Sequence, residues 1–140
     1  MINILLGLAT MALCLMLEGL LIGVAIRYYT RREHRLEAHK FFHTIWLISG
    51  VMTLLVVGNL FQIGIWALLF QILGEFDDYH VAFYHSAVNF ATLGYGDIVM
   101  SEKHRLLGPL EAINGVLMIG VSTAVLMTAF QDALKKTMDK

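Results

Sequence analysis

At 140 residues the chain is sized for about one domain. Hydrophobic residues make up 58% and charged residues only 15%, against roughly 25% charged in soluble domains, and the mean hydropathy is +0.70. A net charge of −1 without a long basic run gives no footing for nucleic-acid binding, and the single Cys14 excludes a disulfide framework or a cysteine metal cluster.

Ile4 to Ile26 is apolar except for Thr10 and Glu18. As a helix it would be about 34 Å long, enough to cross a hydrocarbon core of about 30 Å. A signal peptide would carry positive charge before its apolar core, whereas Arg27, Arg31, Arg32 and Arg35 follow this one. Thr44 to Leu73 is a second apolar run, about 45 Å as a helix, which is expected to tilt, kink or project beyond the bilayer. Val81 to Ala91 is apolar and aromatic but too short to cross, a length that suits a re-entrant helix. Pro109 to Phe130 is the third span, with Pro109 placed for a helix start. Trp46, Trp66 and the methionines read as packing or interface residues.

Between the short segment and the third span stands Thr92-Leu93-Gly94-Tyr95-Gly96-Asp97. Gly94 and Gly96 can take φ > 0 without steric cost, so carbonyls can be aimed at one axis. Thr92 can add a side-chain oxygen at the inner end of the row, and Asp97 closes the loop. Non-helical backbone at membrane depth is tolerated only when buried in protein or lining a water-filled path, so the loop implies an assembly. A helix entering from outside points its negative dipole end inward, where it stabilises a partly dehydrated cation.

Eight of the ten Lys and Arg residues lie in the first connection or at the C-terminus, and only Lys103 and Arg105 fall on the opposite side. The positive-inside rule then places the N-terminus outside, the C-terminus in the cytoplasm, and Glu75, Asp77 and Asp78 at the outer surface. No internal repeat or linker is present, and no soluble regulatory domain is expected after Phe130. The expected organisation is an extra helix with its basic connection over 1–43, a pore module over 44–131 and a short tail over 132–140.

FYHSAVNFATLGYGDI followed by GPLEAINGVLMIGVSTAVL, within Thr44 to about Gln131, resembles the pore module of prokaryotic two-span potassium channels, a family that also contains the two-pore-domain channels. In such channels four TVGYG loops replace the hydration shell of the ion with backbone carbonyls. The resemblance implies an all-α homotetramer of three spans and one pore loop per subunit, in a membrane such as the bacterial inner membrane. It implies passive K+ conduction, with no cofactor beyond the permeant ion and no enzymatic activity. Thr92, Leu93, Gly94, Tyr95 and Gly96 would form the filter and Asp97 its outer mouth. An inner-helix bend would fall at Gly120, or second at Gly115, with Ala124 and Thr128 facing the inner cavity. Leu93 stands for the usual valine and Ala91 for a second threonine. Val88 takes the place of a glutamate that pairs with the filter aspartate in some members, and Tyr84 and His85 that of a tryptophan pair bracing the filter. Rival readings are a non-selective cation channel, which would lack the second filter glycine present here as Gly96, a subunit of a coupled potassium transporter, and a non-conducting scaffold.

Outside the motif, Glu18 is an acid within a span, which marks a functional site by default. The plainer reading, a hydrogen-bonded link to Asn59 or Gln62, is preferred. Glu111 and Asn114 are expected near the interface in partial hydration. Arg27, Arg31 and Arg35 would share a face of a continuing helix, as a topology signal or as a contact for anionic lipid headgroups. A voltage sensor is the third and weakest reading, because they lie outside the apolar run and a sensor needs them within the membrane field. His85 is expected to be packed and hydrogen-bonded, with proton sensing as the alternative, and His80 and His104 lie near the same mouth.

Overall fold

The computed structural model describes residues 2–33 and 40–138. Among them the chain is helical without a strand: α1 Ile2–Glu33, α2 Lys40–Ile72, α3 Tyr79–Phe90 and α4 Leu107–Met138. Three helices are long and apolar enough to cross a membrane, over Ile2–Arg31, Ile45–Ile72 and Leu107–Asp132. This is an all-helical membrane protein.

Each long helix overruns its apolar stretch. No Gly or Pro stands between Val24 and Glu33, so nothing stops α1 where the hydropathy drops, and it carries Arg27 and Arg31 on one face as exposed residues. Arg35 lies outside the described residues. α4 starts at Leu107, two residues before Pro109, and a proline in the first turn costs nothing because its missing N–H has no carbonyl to meet.

α2 buries Val51, Leu55, Gln62, Trp66 and Phe70, a spacing of about one helical turn that keeps one face inward. Gly74, at φ +73°, ends the helix, with Glu75 N–H donating to the Phe70 carbonyl. Asp78 then opens α3 by accepting the backbone N–H of His80 at 2.8 Å. α3 packs against both α2 and α4, and its end reaches α4 at Gly115.

α1 runs antiparallel to α2 and parallel to α4. Gly58 faces Leu21 and Gly50 faces Tyr28, while Gly7 sits against Leu107 and Leu110 at the start of α4. At one end the Asn3 amide donates to the Lys103 carbonyl, and at the other Tyr29 Oη donates to Asp132 Oδ2 at 2.8 Å. The start of α1 therefore lies on the same side as the loop that leaves Asp97.

Midway along the helices Glu18 is buried. Its Oε2 accepts from Gln62 Nε2 at 2.8 Å and its Oε1 from Ser122 Oγ at 2.7 Å. Gln62 is one of the two expected partners, whereas Ser122 had no signal in the sequence. Asn59 reaches Ser122 instead, at 3.5 Å.

Candidate ion pathway and its supports

The helix α3 ends at Phe90 with Ala91 as its cap, and the chain then turns sharply: Thr92 N–H donates to the Asn89 carbonyl at 2.8 Å and Leu93 N–H to the Val88 carbonyl at 2.9 Å. From there the backbone alternates in hand. Thr92 has φ +58°, Gly94 +57° and Gly96 +73°, while Leu93 and Tyr95 stay outside the positive region. An ordinary extended strand points successive side chains to opposite faces. Alternating left- and right-handed residues is how a chain turns successive carbonyls to one side instead. Among the described residues no hydrogen bond uses the carbonyls of Thr92, Leu93, Gly94 or Tyr95, which leaves a row of oxygens free to meet a cation.

Glycine was expected to bear all of the positive φ, but Thr92 bears part of it. A β-branched residue there is strained by about 1–3 kcal/mol, and strain of this size persists only where the surroundings impose it. Here the two bonds from Thr92 and Leu93 back to α3 impose it. The loop is exposed throughout, with Leu93 53% and Tyr95 65% accessible, so these side chains gain no cover from their own chain.

The sequence profile of a family described as Ion channel matches residues 60–132, from the middle of α2 to the later part of α4. The chain belongs to this ion channel family. No match is found among curated proteins or among solved structures.

In this channel the loop is braced on its far side by side chains of α3. Tyr84 Oη donates to Asp97 Oδ2 at 2.7 Å, and Asp97 Oδ1 accepts the backbone N–H of Ile98 at 3.0 Å. The Tyr84 hydroxyl first, and the Ile98 N–H among other contacts, hold the Asp97 carboxyl below its usual range, and the same bond raises the Tyr84 phenol. Val88 is buried and has no polar group to offer Asp97. Tyr84 supplies that bond from one turn earlier.

His85 lies buried one residue further on, with its ring against Phe70 and Phe76 at centroid distances of 5.7 and 5.0 Å. Its Nδ1 is 3.0 Å from the Ile98 carbonyl, which can only accept, so Nδ1 carries the proton. Nε2 then accepts from Asn89 Nδ2 at 2.9 Å. Both ring nitrogens are satisfied in the neutral form, and a second proton would set two donors against each other. Burial pushes the His85 pKa below the usual imidazole range, against the pull of the Ile98 carbonyl, Asp97 and Glu75. A lowered folded-state value means that the neutral ring stabilises this end of the loop above about pH 6.5 and that the contribution fades as pH falls toward the folded value. Flux through liposome-reconstituted channel should therefore begin to fall only on the acid side of about 6.5. His85→Phe should remove this component, and acid inhibition unchanged in that variant would assign it to other groups.

Glu75 forms a second clamp. Its carboxylate accepts Ser101 N–H at 2.7 Å, Ser101 Oγ–H at 2.6 Å and His104 Nδ1–H, tying the chain after the candidate filter to the turn between α2 and α3. Burial pushes the Glu75 carboxyl up, but the Ser101 and His104 donors outweigh it and hold the pKa below the ordinary range. Its partners lie 26 and 29 residues away, and no local pattern in the sequence points to them.

On α4, Gly115 sits against the carbonyl of Phe90: a Cβ there would lie 2.0 Å from that oxygen. Gly120 has nothing within 4 Å and is exposed with Ala124. Thr128, also exposed, borders a groove toward Ala25 and Tyr29 of α1, and its hydroxyl donates to the Ala124 carbonyl at 2.9 Å. Glu111 and Asn114 are not at a hydrated interface as expected. Both are fully buried, because α3 and α1 close over this face of α4.

Proposed function

We propose that this channel is a potassium-selective homotetramer that conducts K+ passively. The observation that carries the reading is the alternation of φ along Thr92, Leu93, Gly94, Tyr95 and Gly96, which leaves their carbonyls unbonded and able to stand in for water around an ion. The loop has no cover in its own chain, and at membrane depth such backbone needs protein around it. Four copies around one axis supply both the cover and the rings of oxygens. Asp97 marks the outer mouth, Gly120 is the bend of the inner helix, and Ala124 and Thr128 line its cavity.

The distribution of Lys and Arg supports an N-terminus outside and a C-terminus in the cytoplasm, in a membrane such as the bacterial inner membrane. Liposomes with K+, Rb+ and Na+ gradients test the function: flux of K+ and Rb+ well above Na+ is expected, and equal rates for Na+ and K+ would refute selectivity.

The basic end of α1 supports a contact with anionic lipid. Arg27 and Arg31 are exposed on one face, and each basic residue near an anionic surface is worth about 1 kcal/mol. Replacing Arg27, Arg31 and Arg35 together by Gln should make flux independent of the anionic lipid fraction. An unchanged lipid response would reduce the stripe to a topology signal.

A further inference from the structure

Glu111 sits 0% exposed at the junction of α2, α3 and α4. Its Oε1 meets Ser86 Oγ of α3, and that same hydroxyl lies 2.8 Å from the Ile63 carbonyl of α2. Ser86 has one proton for two acceptors. With that proton on the Ile63 carbonyl, the contact to Glu111 requires the proton of a neutral carboxylic acid. The second carboxyl oxygen, Oε2, is buried without a hydrogen-bond partner among the described residues, and Asn89 stands about one turn past Ser86 on α3. Asn89 in turn holds both ends of the candidate filter. Its carbonyl accepts Thr92 N–H at 2.8 Å, and its amide donates to His85, which donates to the Ile98 carbonyl.

We infer that Glu111 is a positioning residue for ion selection: acting as a neutral donor from the inner helix, it sets α3 and hence the spacing of the loop between Thr92 and Ile98. It touches no permeating ion. The inference rests on the reading of Thr92–Gly96 as the ion path. It gives the inner helix a hold on the filter by way of α3.

The test compares Glu111→Leu and Glu111→Gln in liposomes, with the K+/Na+ flux ratio normalised to the amount of assembled channel. Glu111→Leu removes the donor and should lower the ratio about tenfold, the change expected when a buried hydrogen bond is lost and its partner is left unmet. Glu111→Gln keeps the shape and an N–H donor and should restore most of the ratio. A parental ratio in Glu111→Leu, or a Glu111→Gln as impaired as Glu111→Leu, would overturn the inference, as would losses confined to assembled protein with the ratio per channel unchanged. Should the parent itself fail to discriminate K+ from Na+, the selectivity reading falls. In that case the flux decay per assembled channel still has to change in Glu111→Leu and recover in Glu111→Gln for the positioning role to stand.

Discussion

Gly115→Ala is expected to leave little folded channel in the membrane. The added Cβ would stand 2.0 Å from the carbonyl oxygen of Phe90, 2.7 Å from its carbon and 2.9 Å from its Cα. These are backbone atoms at the end of α3, held by the bonds from Ala91 and Thr92, so no side chain can rotate out of the way. Either α3 leaves α4 or α4 bends away from the candidate filter. Overpacking usually costs about 1–3 kcal/mol, and a clash with backbone belongs at or above the upper end. The recovered assembly and its unfolding temperature in detergent measure the loss. Gly120→Ala is the control, since nothing lies within 4 Å of its added Cβ and alanine gains about 1 kcal/mol of helix propensity over glycine. Should Gly115→Ala assemble as well as Gly120→Ala, the close approach of α3 to α4 is wrong. Should Gly120→Ala assemble fully yet conduct poorly, the bend belongs at Gly120.

Gly94→Ala is expected to abolish most K+ flux while sparing insertion. Here the chain itself leaves room, with nothing within 4 Å of the added Cβ, so the cost is conformational. At φ +57° a left-handed alanine costs about 1–2 kcal/mol relative to its preferred region, and in the proposed tetramer each subunit would incur it. The loop already holds Thr92 at φ +58° and has little tolerance for a second strained residue two positions on. Relaxation of Gly94 toward negative φ would turn its carbonyl out of the row. K+ flux should fall at least about tenfold, which one such relaxation of about 1.4 kcal/mol suffices to produce. A variant that assembles and keeps the parental preference for K+ over Na+ would show that the loop is not the filter.

The architecture was readable in the sequence where a single segment carries its own signal. Three apolar runs of spanning length, a short one between the second and third, and the Gly94 and Gly96 pair of the loop are all local patterns. Element ends were less readable, because α1 passes Ile26 and α4 passes Phe130 on residues that favour helix without being apolar. Partners across the fold were the least readable. Ser86 meets Glu111 25 residues later and Gly115 meets Phe90 because α3 packs between two helices, while Glu75 meets Ser101 and His104 across two separate connections. Glu111 was misplaced for that reason, since a single-helix view puts it one turn from water and cannot see what covers it. Glu18 was placed better because an acid amid a span must find a polar partner, and the sequence offers few.

The Glu18 contacts also bear on how the chain is made. Gln62 follows Glu18 by 44 residues and Ser122 by 104, so the first helix is synthesised long before either donor exists. At about 5–20 residues per second of translation the wait for Ser122 is roughly 5–20 s. During it an acid at the middle of a helix carries an insertion penalty of about 2.5–3.5 kcal/mol, which the surrounding leucines and isoleucines can outweigh but not remove. The nascent first helix therefore carries this penalty until the later helices bring Gln62 and Ser122 to shield Glu18.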